Sequence, residues 1–492
     1  MSSTKNAVIV CFVTTALVAG CKVGPNYKTP PTTMPSEFAE LNPTTQRSTR
    51  PATTQPVAGN LAQWWMTFND PVMDHLIREA VESNLDLRIA TARVREARAS
   101  RGVTASRLFP DVNANGQYSY NQASNSGTFP ISPRTYNFWQ AGFDASWELD
   151  VFGGIQRGVE AADADIQTTV EQRRDTLVSL MAEVGRNYIQ LRGAQRQLAI
   201  TRQNVASQQD TLDLTKQRFD AGITSEVDVV RQRAQVESTA SEIPQLEITI
   251  RQSIHALGVL LGRDPGSLLA ELVPDGPLPQ APGMLPVGLP SELLRRRPDV
   301  RAAERALAAQ TARIGEATAE LFPKFSITGS FGQQSTEFKQ LFNATSNFWS
   351  IGPSFTLPIF NAGRIKSNIE VQNARQEQAL ATYEQTVLRS LQDVEDALVA
   401  YDREQARRIN LAAAVEANKR AVDLSNQLYT RGLIDFLSVH DAERALFLSE
   451  DALAISDTTV STNLVALYKA LGGGWEERAD TPTTQPKADQ LN

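Results

Sequence analysis

The feature that most narrows the possible folds is an internal repeat with a spacing of about 210 residues. Leu108-Phe109-Pro110 returns as Leu321-Phe322-Pro323, and Phe138-Trp139 returns as Phe348-Trp349. Gln217-Arg218-Phe219-Asp220-Ala221-Gly222-Ile223 returns as Gln427-Leu428-Tyr429-Thr430-Arg431-Gly432-Leu433, and Leu261-Gly262 as Leu471-Gly472. Each copy holds a helical run, two strand-like segments and two further helical runs. Length alone would suggest about three domains for 492 residues. A tandem supersecondary unit instead predicts one elongated body in two halves. The copies span residues 61–262 and 301–475, with residues 263–300 as the linker between them.

The helical runs are long. Between Gly363 and Gly432 there are 68 residues without Gly or Pro. As one helix this is on the order of 100 Å. Between Gly158 and Gly222 there are 63 residues without Pro, interrupted only by Gly185 and Gly193. Leu177, Met181, Val184, Tyr188, Leu191 and Leu198 form one seam, and Leu380, Tyr383, Val387, Leu391, Val394, Leu398 and Tyr401 another. Steps of three and four residues are coiled-coil spacing, although an ordinary bundle core has the same signature. Each run ends at a glycine and is followed by a second helix, near 224–261 and 434–471. This predicts two antiparallel hairpins with tips at Gly222 and Gly432, with Pro244 breaking the first return helix.

Outside the first 20 residues no apolar run is long enough for a membrane helix. A spanning strand, however, needs only about 9–11 alternating residues. Four segments alternate with period two, at 111–120, 139–149, 324–331 and 349–357. Val112, Ala114, Tyr118, Trp139, Phe143, Trp147, Phe325, Ile327, Phe331, Trp349, Ile351 and Phe355 fall on one side of these segments. Asp111, Asn113, Asn115, Asp144, Glu148, Ser326 and Ser350 fall on the other. A soluble sheet packed on a core and a membrane barrel both fit this pattern. Phe138, Trp139, Trp147, Phe348 and Trp349 near strand ends suit an interfacial girdle. Four strands cannot close a barrel, for which about eight are needed. An open edge in lipid costs several kcal/mol per unpaired backbone group. A membrane sheet would therefore pool strands from several chains; three would supply twelve. Asp111, Asn113, Asn115, Asp144 and Glu148 would then line a water-filled pore.

Residues 1–20 place Lys5 before a short apolar run ending in Leu17-Val18-Ala19-Gly20-Cys21. Small residues before a cysteine resemble a bacterial lipobox, so residues 1–20 read as a lipoprotein signal and Cys21 as the acylated residue. An ordinary secretory signal is the alternative. Residues 21–60 are rich in Thr and Pro and read as a lipidated, extended tether; residues 476–492 read as a flexible tail. The net charge of −7 gives no electrostatic reason to expect nucleic acid. His75, His255 and His440 are scattered, and no phosphate-binding glycine loop is present, so no enzyme, metal site or cofactor is expected beyond the lipid on Cys21.

With these features the chain resembles the outer-membrane efflux protein (TolC) family, in its lipidated, NodT-like branch serving RND-type pumps. The likeness covers residues 21–475. It rests on Cys21-Lys22-Val23-Gly24-Pro25-Asn26-Tyr27, on Trp64-Trp65 with Phe68-Asn69-Asp70-Pro71, and on Asn84-Leu85-Asp86-Leu87. Its most specific segment is Gly288-Leu289-Pro290-Ser291-Glu292-Leu293-Leu294-Arg295-Arg296-Arg297-Pro298-Asp299-Val300-Arg301, and Gly472-Gly473-Gly474-Trp475 closes the match. The resemblance implies a mainly α fold with β: a trimeric transmembrane β-barrel, four strands per chain, continuous with a long coiled-coil α-helical barrel. It implies location in the bacterial outer membrane, with a helical body in the periplasm. It also implies passive export of drugs or other small molecules, with a periplasmic adaptor and an inner-membrane RND pump as partners. Gly222 and Gly432 would mark the tips that meet the adaptor. Leu437 would be an apolar constriction, with Asp441 and Arg444 in the charge pairs or rings that close the periplasmic aperture. Tyr429 and Arg431 precede that turn, and Arg218 and Asp228 occupy related places in the first copy. A duct for type I protein secretion and a periplasmic coiled-coil scaffold are the competing readings; the scaffold leaves the two-faced strands unused.

Overall fold

The computed structural model describes residues 22–31, 35–36, 38–40, 61–123, 135–280, 292 and 295–476. The expected signal, Cys21, most of the Thr/Pro-rich tether, Gly288–Ser291, Leu293, Leu294 and the tail after 476 lie outside the described residues. In chain order the α-helices are α1 (Pro71–Ser83), α2 (Leu85–Ser106), α3 (Gly154–Asp220), α4 (Glu226–Ala240), α5 (Glu242–Leu260), the single turn α6 (Leu269–Leu272), α7 (Pro298–Ala319), α8 (Arg364–Thr430) and α9 (Phe436–Ala470). Strands β1 (Asp111–Gln122) and β2 (Thr135–Leu149) follow α2, and β3 (Lys324–Ser335) and β4 (Asn347–Thr356) follow α7. Helices α3 and α8 have 67 residues each. No helix among the described residues is long and apolar enough to cross a membrane.

The chain divides into two compact units. One is drawn from Met1–Thr32, Ala92–Val170 and Ala302–Gln385, the other from Thr33–Thr91, Glu171–Arg301 and Thr386–Asn492.

The first unit is built on an antiparallel sheet of order β1-β2-β3-β4. Strand gives way to helix in a short corner at Asp150–Gly153. The Asp150 carboxylate accepts the Ile155 and Gln156 amides at 3.1 and 2.7 Å, which caps α3, and Gly153 takes a positive φ of 71°. Residues 22–29, expected to belong to a tether, are held in place. Arg157, 2% exposed, donates to the Val23 carbonyl (3.1 Å), the Gly24 carbonyl (3.3 Å) and Asn26 Oδ1 (2.8 Å). Tyr27 donates to Glu304 at 3.0 Å; burial, and then the Glu304 charge, push its phenol up to about 12. A tether reading from Thr/Pro content misses this because the anchoring side chains lie more than a hundred residues downstream.

The second unit holds the main apolar core. Trp64 and Met73 at its N-terminal end pack with Met181, Val184 and Leu191 of α3, Val394 and Leu398 of α8, and Leu464 and Tyr468 of α9. Both heptad-like seams feed this core. Two glycines inside α3 permit close approach: a Cβ on Gly185 would lie 2.9 Å from the Trp64 ring, and one on Gly193 would overlap Thr458 of α9. The first return helix breaks at Ser241, between α4 and α5. Pro244 explains the position, because its ring clashes with the carbonyl four residues earlier, at Ala240, where α4 ends. Lacking a proline, α9 runs on for 35 residues.

A Gly193→Leu exchange should destabilise the protein by about 1–3 kcal/mol through overpacking against Thr458. Gly102→Leu, where a Cβ meets nothing within 4 Å, should leave stability unchanged or slightly raised. Thermal unfolding of both variants checks the contrast.

Candidate functional site

Two regions carry the sequence-predicted residues: the sheet of the first unit and the hairpin ends of the second.

In the sheet, register sorts the residues by chemistry. Ala114 pairs with Phe143, Phe143 with Phe331 and Phe331 with Trp349, giving an apolar row across all four strands. The next row, Asn113, Asp144, Ser330 and Ser350, is polar throughout. Because side chains alternate along a strand, this common register puts every apolar row on one face. Among the described residues no core lies beneath that face: Phe143, Phe331, Trp349, Ile351 and Phe355 are all between 57% and 74% exposed. Within the chain this is not the arrangement of a sheet packed on its own core. An exposed apolar surface of this kind marks a membrane or partner.

The polar face holds all five candidate pore residues. Asp111, Asn113, Asn115 and Asp144 are exposed and Glu148 is half-buried. Asn115 donates to Asp144, and Ser326–Ser354 and Ser330–Ser350 link at 2.8 Å. The expected girdle needs correction. Phe138 pairs with Ser119, and Phe348 with Gly332, so both lie on the polar face; Trp139, Trp147 and Trp349 lie on the apolar one. Neighbouring strand residues point oppositely, so Phe138-Trp139 and Phe348-Trp349 cannot each serve as a pair.

The two hairpin ends share one geometry. Gly222 and Gly432 have φ of 71° and 70°. At the first end Ile223 N–H reaches the Arg218 carbonyl and Gly222 N–H the Phe219 carbonyl, both at 2.8 Å; at the second, Leu433 reaches Leu428 (3.0 Å) and Gly432 reaches Tyr429 (2.9 Å). These are Schellman closures, which need a left-handed residue after the helix. The next helix is then capped. Asp228 accepts from Thr224 at 2.6 Å and from the Ser225 hydroxyl and amide, and Asp435 accepts from the Ser438 amide at 3.1 Å. Burial draws the Asp228 carboxyl upward, but the Thr224 and Ser225 hydrogen bonds outweigh it and hold it below the usual range.

Of the candidate aperture residues, Leu437, Asp441 and Arg444 share one exposed face of α9. Among the described residues Asp441 and Arg444 form no ion pair with each other, and the nearest basic group to Asp441 is His440 Nδ1 at 3.8 Å. Arg431 is exposed, whereas Tyr429 is buried. It packs against Phe436 at 5.9 Å, under the Arg218 guanidinium 4.4 Å from its ring centroid. Tyr429 thus belongs to the small core of the hairpin end, together with Phe436 and Val439.

Glu443, 5% exposed, was missed by the sequence reading. The signal was present: Phe436, Val439, Glu443 and Phe447 step by three and four along α9, and all four are buried. The Arg295–Arg301 segment proves to be a brace. Arg297 forks onto Asp299 at 3.0 and 2.7 Å, pairs with Asp393 at 2.9 Å and reaches the Ala470 carbonyl at 3.1 Å. Trp475 donates to the Arg296 carbonyl at 2.9 Å and stacks under Arg174 and Arg301, both paired with Glu171. The segment therefore ties the end of α9 to the start of α7. Among the described residues no cluster of His, Cys, Asp or Glu is placed to hold a metal ion.

Taken together, the open two-faced sheet and the paired long helices describe a channel subunit of an outer membrane. The chain belongs to the outer membrane efflux protein family, whose model matches residues 76–263 and again 289–473. It is 32% identical to the probable outer membrane lipoprotein SilC of Salmonella typhimurium, over 95% of this chain and 99% of that one. It is also 32% identical to the solvent efflux pump outer membrane protein SrpC of Pseudomonas putida, over 93% and 96%. The solved structure of the outer-membrane channel OprN superimposes with a TM-score of 0.85 at 36% identity, covering 92% of this chain and all of that one.

Burial separates two neighbouring residues of α9. Phe436→Ala should cost about 3–5 kcal/mol of local stability. Leu437→Ala, at an exposed position, should stay within about 0.5 kcal/mol. Hydrogen exchange across residues 425–447 distinguishes them.

Proposed function

We propose that three copies of this chain assemble into an outer-membrane efflux channel. Each supplies four strands to a twelve-stranded barrel, and the long helices build the tunnel below it. The observation that carries the reading is the single sheet register, which leaves one mainly apolar face exposed and two edges, on β1 and β4, without a partner strand among the described residues. A periplasmic scaffold gives that face no occupant. The two separate family matches, and in each copy a helix, two strands, a 67-residue helix and a return, support the tandem repeat.

In this assembly the polar face, with Asp111, Asn113, Asn115, Asp144 and Glu148, lines an aqueous path. Transport through it is passive. An inner-membrane RND-type pump supplies the energy, and a periplasmic adaptor meets the hairpin ends at Gly222 and Gly432. The cargo is small molecules; SrpC is named for solvent efflux, but a face of serines, asparagines and a few carboxylates selects weakly, and selection falls to the pump. Leu437, Asp441 and Arg444, free of one another within a chain, are placed to meet their counterparts in neighbouring copies and narrow the aperture, with Arg431 beside them. Acylation of Cys21 anchors the N-terminus, supported by the lipobox and by the likeness to SilC.

Adjacent residues of β4 test the membrane reading. Ile351→Arg puts a charge on the apolar face at a cost of about 2–4 kcal/mol near the bilayer midplane and should abolish stable insertion. Ser350→Arg should insert normally and shift pore selectivity toward anions. Equal tolerance of both would exclude a lipid-facing sheet. For the aperture, Asp441→Ala combined with Arg444→Ala should leave trimers intact and raise single-channel conductance in planar bilayers. An unchanged conductance removes these residues from the gate.

A further inference from the structure

The channel reading leaves one buried acid without a role. We propose that Glu443 is a proton-binding site that controls how tightly α9 packs on α3 and α4 near the hairpin ends. The packing is tight when the proton is bound and looser when it leaves.

The geometry is a carboxyl group enclosed by three helices. From α3, the Thr211 hydroxyl donates to Glu443 Oε1 at 2.6 Å. From α4, the Gln232 amide donates to Oε2 at 3.3 Å and shares its hydrogens with the Gln208 backbone carbonyl at 3.0 Å. The faces that α3 and α4 turn toward the acid are therefore neutral. The one ionisable neighbour acting on it among the described residues is His440, three residues earlier on α9. A carboxylate has about four acceptor sites; here it receives two hydrogen bonds, one of them long.

Unpaired amide groups surround the acid, two acceptor oxygens against one donor nitrogen. The Gln232 side-chain carbonyl is buried without a partner, and so are both amide atoms of Gln208, itself 2% exposed. A neutral carboxylic acid adds one O–H donor to a cluster with unpaired amide oxygens, whereas a carboxylate adds only further acceptors. Burial accordingly pushes the Glu443 carboxyl above its usual range, with Thr211, Gln232 and His440 pulling partly back. The linkage then has a definite sign. In a loosened arrangement, where water reaches the acid, its pKa falls back toward the ordinary value of 4.5. The packed arrangement binds the proton more firmly, so its advantage is complete below that ordinary value and is lost as pH rises through the raised one. Each unit of separation changes the packed-to-loosened ratio about tenfold.

The proposal stands apart from the channel reading because its readout is packing, not conductance. Amide hydrogen exchange is measured on the full-length, detergent-purified protein at about pH 5 and about pH 7.5, corrected for intrinsic exchange chemistry. Segments 205–236 and 436–450 should exchange at least about threefold more slowly at the lower pH. Glu443→Gln, a permanent mimic of the neutral acid, should remove the difference and leave slow exchange at both. His440→Gln should retain it. The proposal is overturned if the native protein shows no difference, if the difference survives in Glu443→Gln, or if it vanishes in His440→Gln. Should Glu443→Gln not fold, Thr211→Val provides an independent reading. Followed across a series of pH values, loss of the shorter donor should raise the pH at which the segments loosen, and an unmoved transition counts against Glu443.

Discussion

The structure depends on one constraint: the cross-strand register of a four-stranded sheet. Because Ala114, Phe143, Phe331 and Trp349 lie in one row and Asn113, Asp144, Ser330 and Ser350 in the next, chemistry is segregated by face along all four strands. A one-residue slip in any strand would put its aromatics among the polar side chains. The segregation creates two demands that one chain cannot meet. The apolar face needs a non-aqueous neighbour, and the outer edges of β1 and β4 need hydrogen-bonding partners. In the proposed assembly, lipid satisfies the first and further copies of the chain satisfy the second.

The helical parts meet a different requirement. A 67-residue helix gains little from intrinsic propensity and much from burying a seam along its length. Here Met181, Val184, Tyr188 and Leu191 supply that seam, and Gly185 and Gly193 let aromatic and helical neighbours close in where a Cβ would block them. Near the hairpin ends the apolar seam gives way to Thr211, Gln208, Gln232 and Glu443, while small caps and Schellman turns finish the helices. Polar seam residues specify register at some cost in stability. In the proposed channel an aperture at these ends can use that property, because a seam held by hydrogen bonds is easier to loosen than one held by leucines.

Features governed by local periodicity were legible in the sequence. The alternation of 111–120 and 349–357, the unbroken run after Gly363 and the glycines at 222 and 432 each report backbone geometry directly. The face shared by Leu437, Asp441 and Arg444 was legible for the same reason. What escaped were properties set by partners distant in the chain. The burial of Tyr429 depends on Arg218, two hundred residues away in sequence. The fixing of residues 22–29 depends on Arg157 and Glu304. Strand ends were read short, at 139 where β2 begins at Thr135 and at 331 where β3 ends at Ser335, because polar residues beyond the aromatics still pair through their backbones. The Arg295–Arg301 motif was visible, but its bracing role needed Trp475 and Asp393 in place.

The claim that the chain supplies one third of a closed wall is tested most directly by disulfide cross-linking between edge strands. One cysteine at Asn113 of β1 is combined in turn with cysteines at Ser350, Gly352, Ser354 and Thr356 of β4, in protein inserted in outer membranes. The account predicts that at least one combination yields a covalent ladder ending at three chains. A ladder that continues past three, or chains that remain single in every combination, would contradict it.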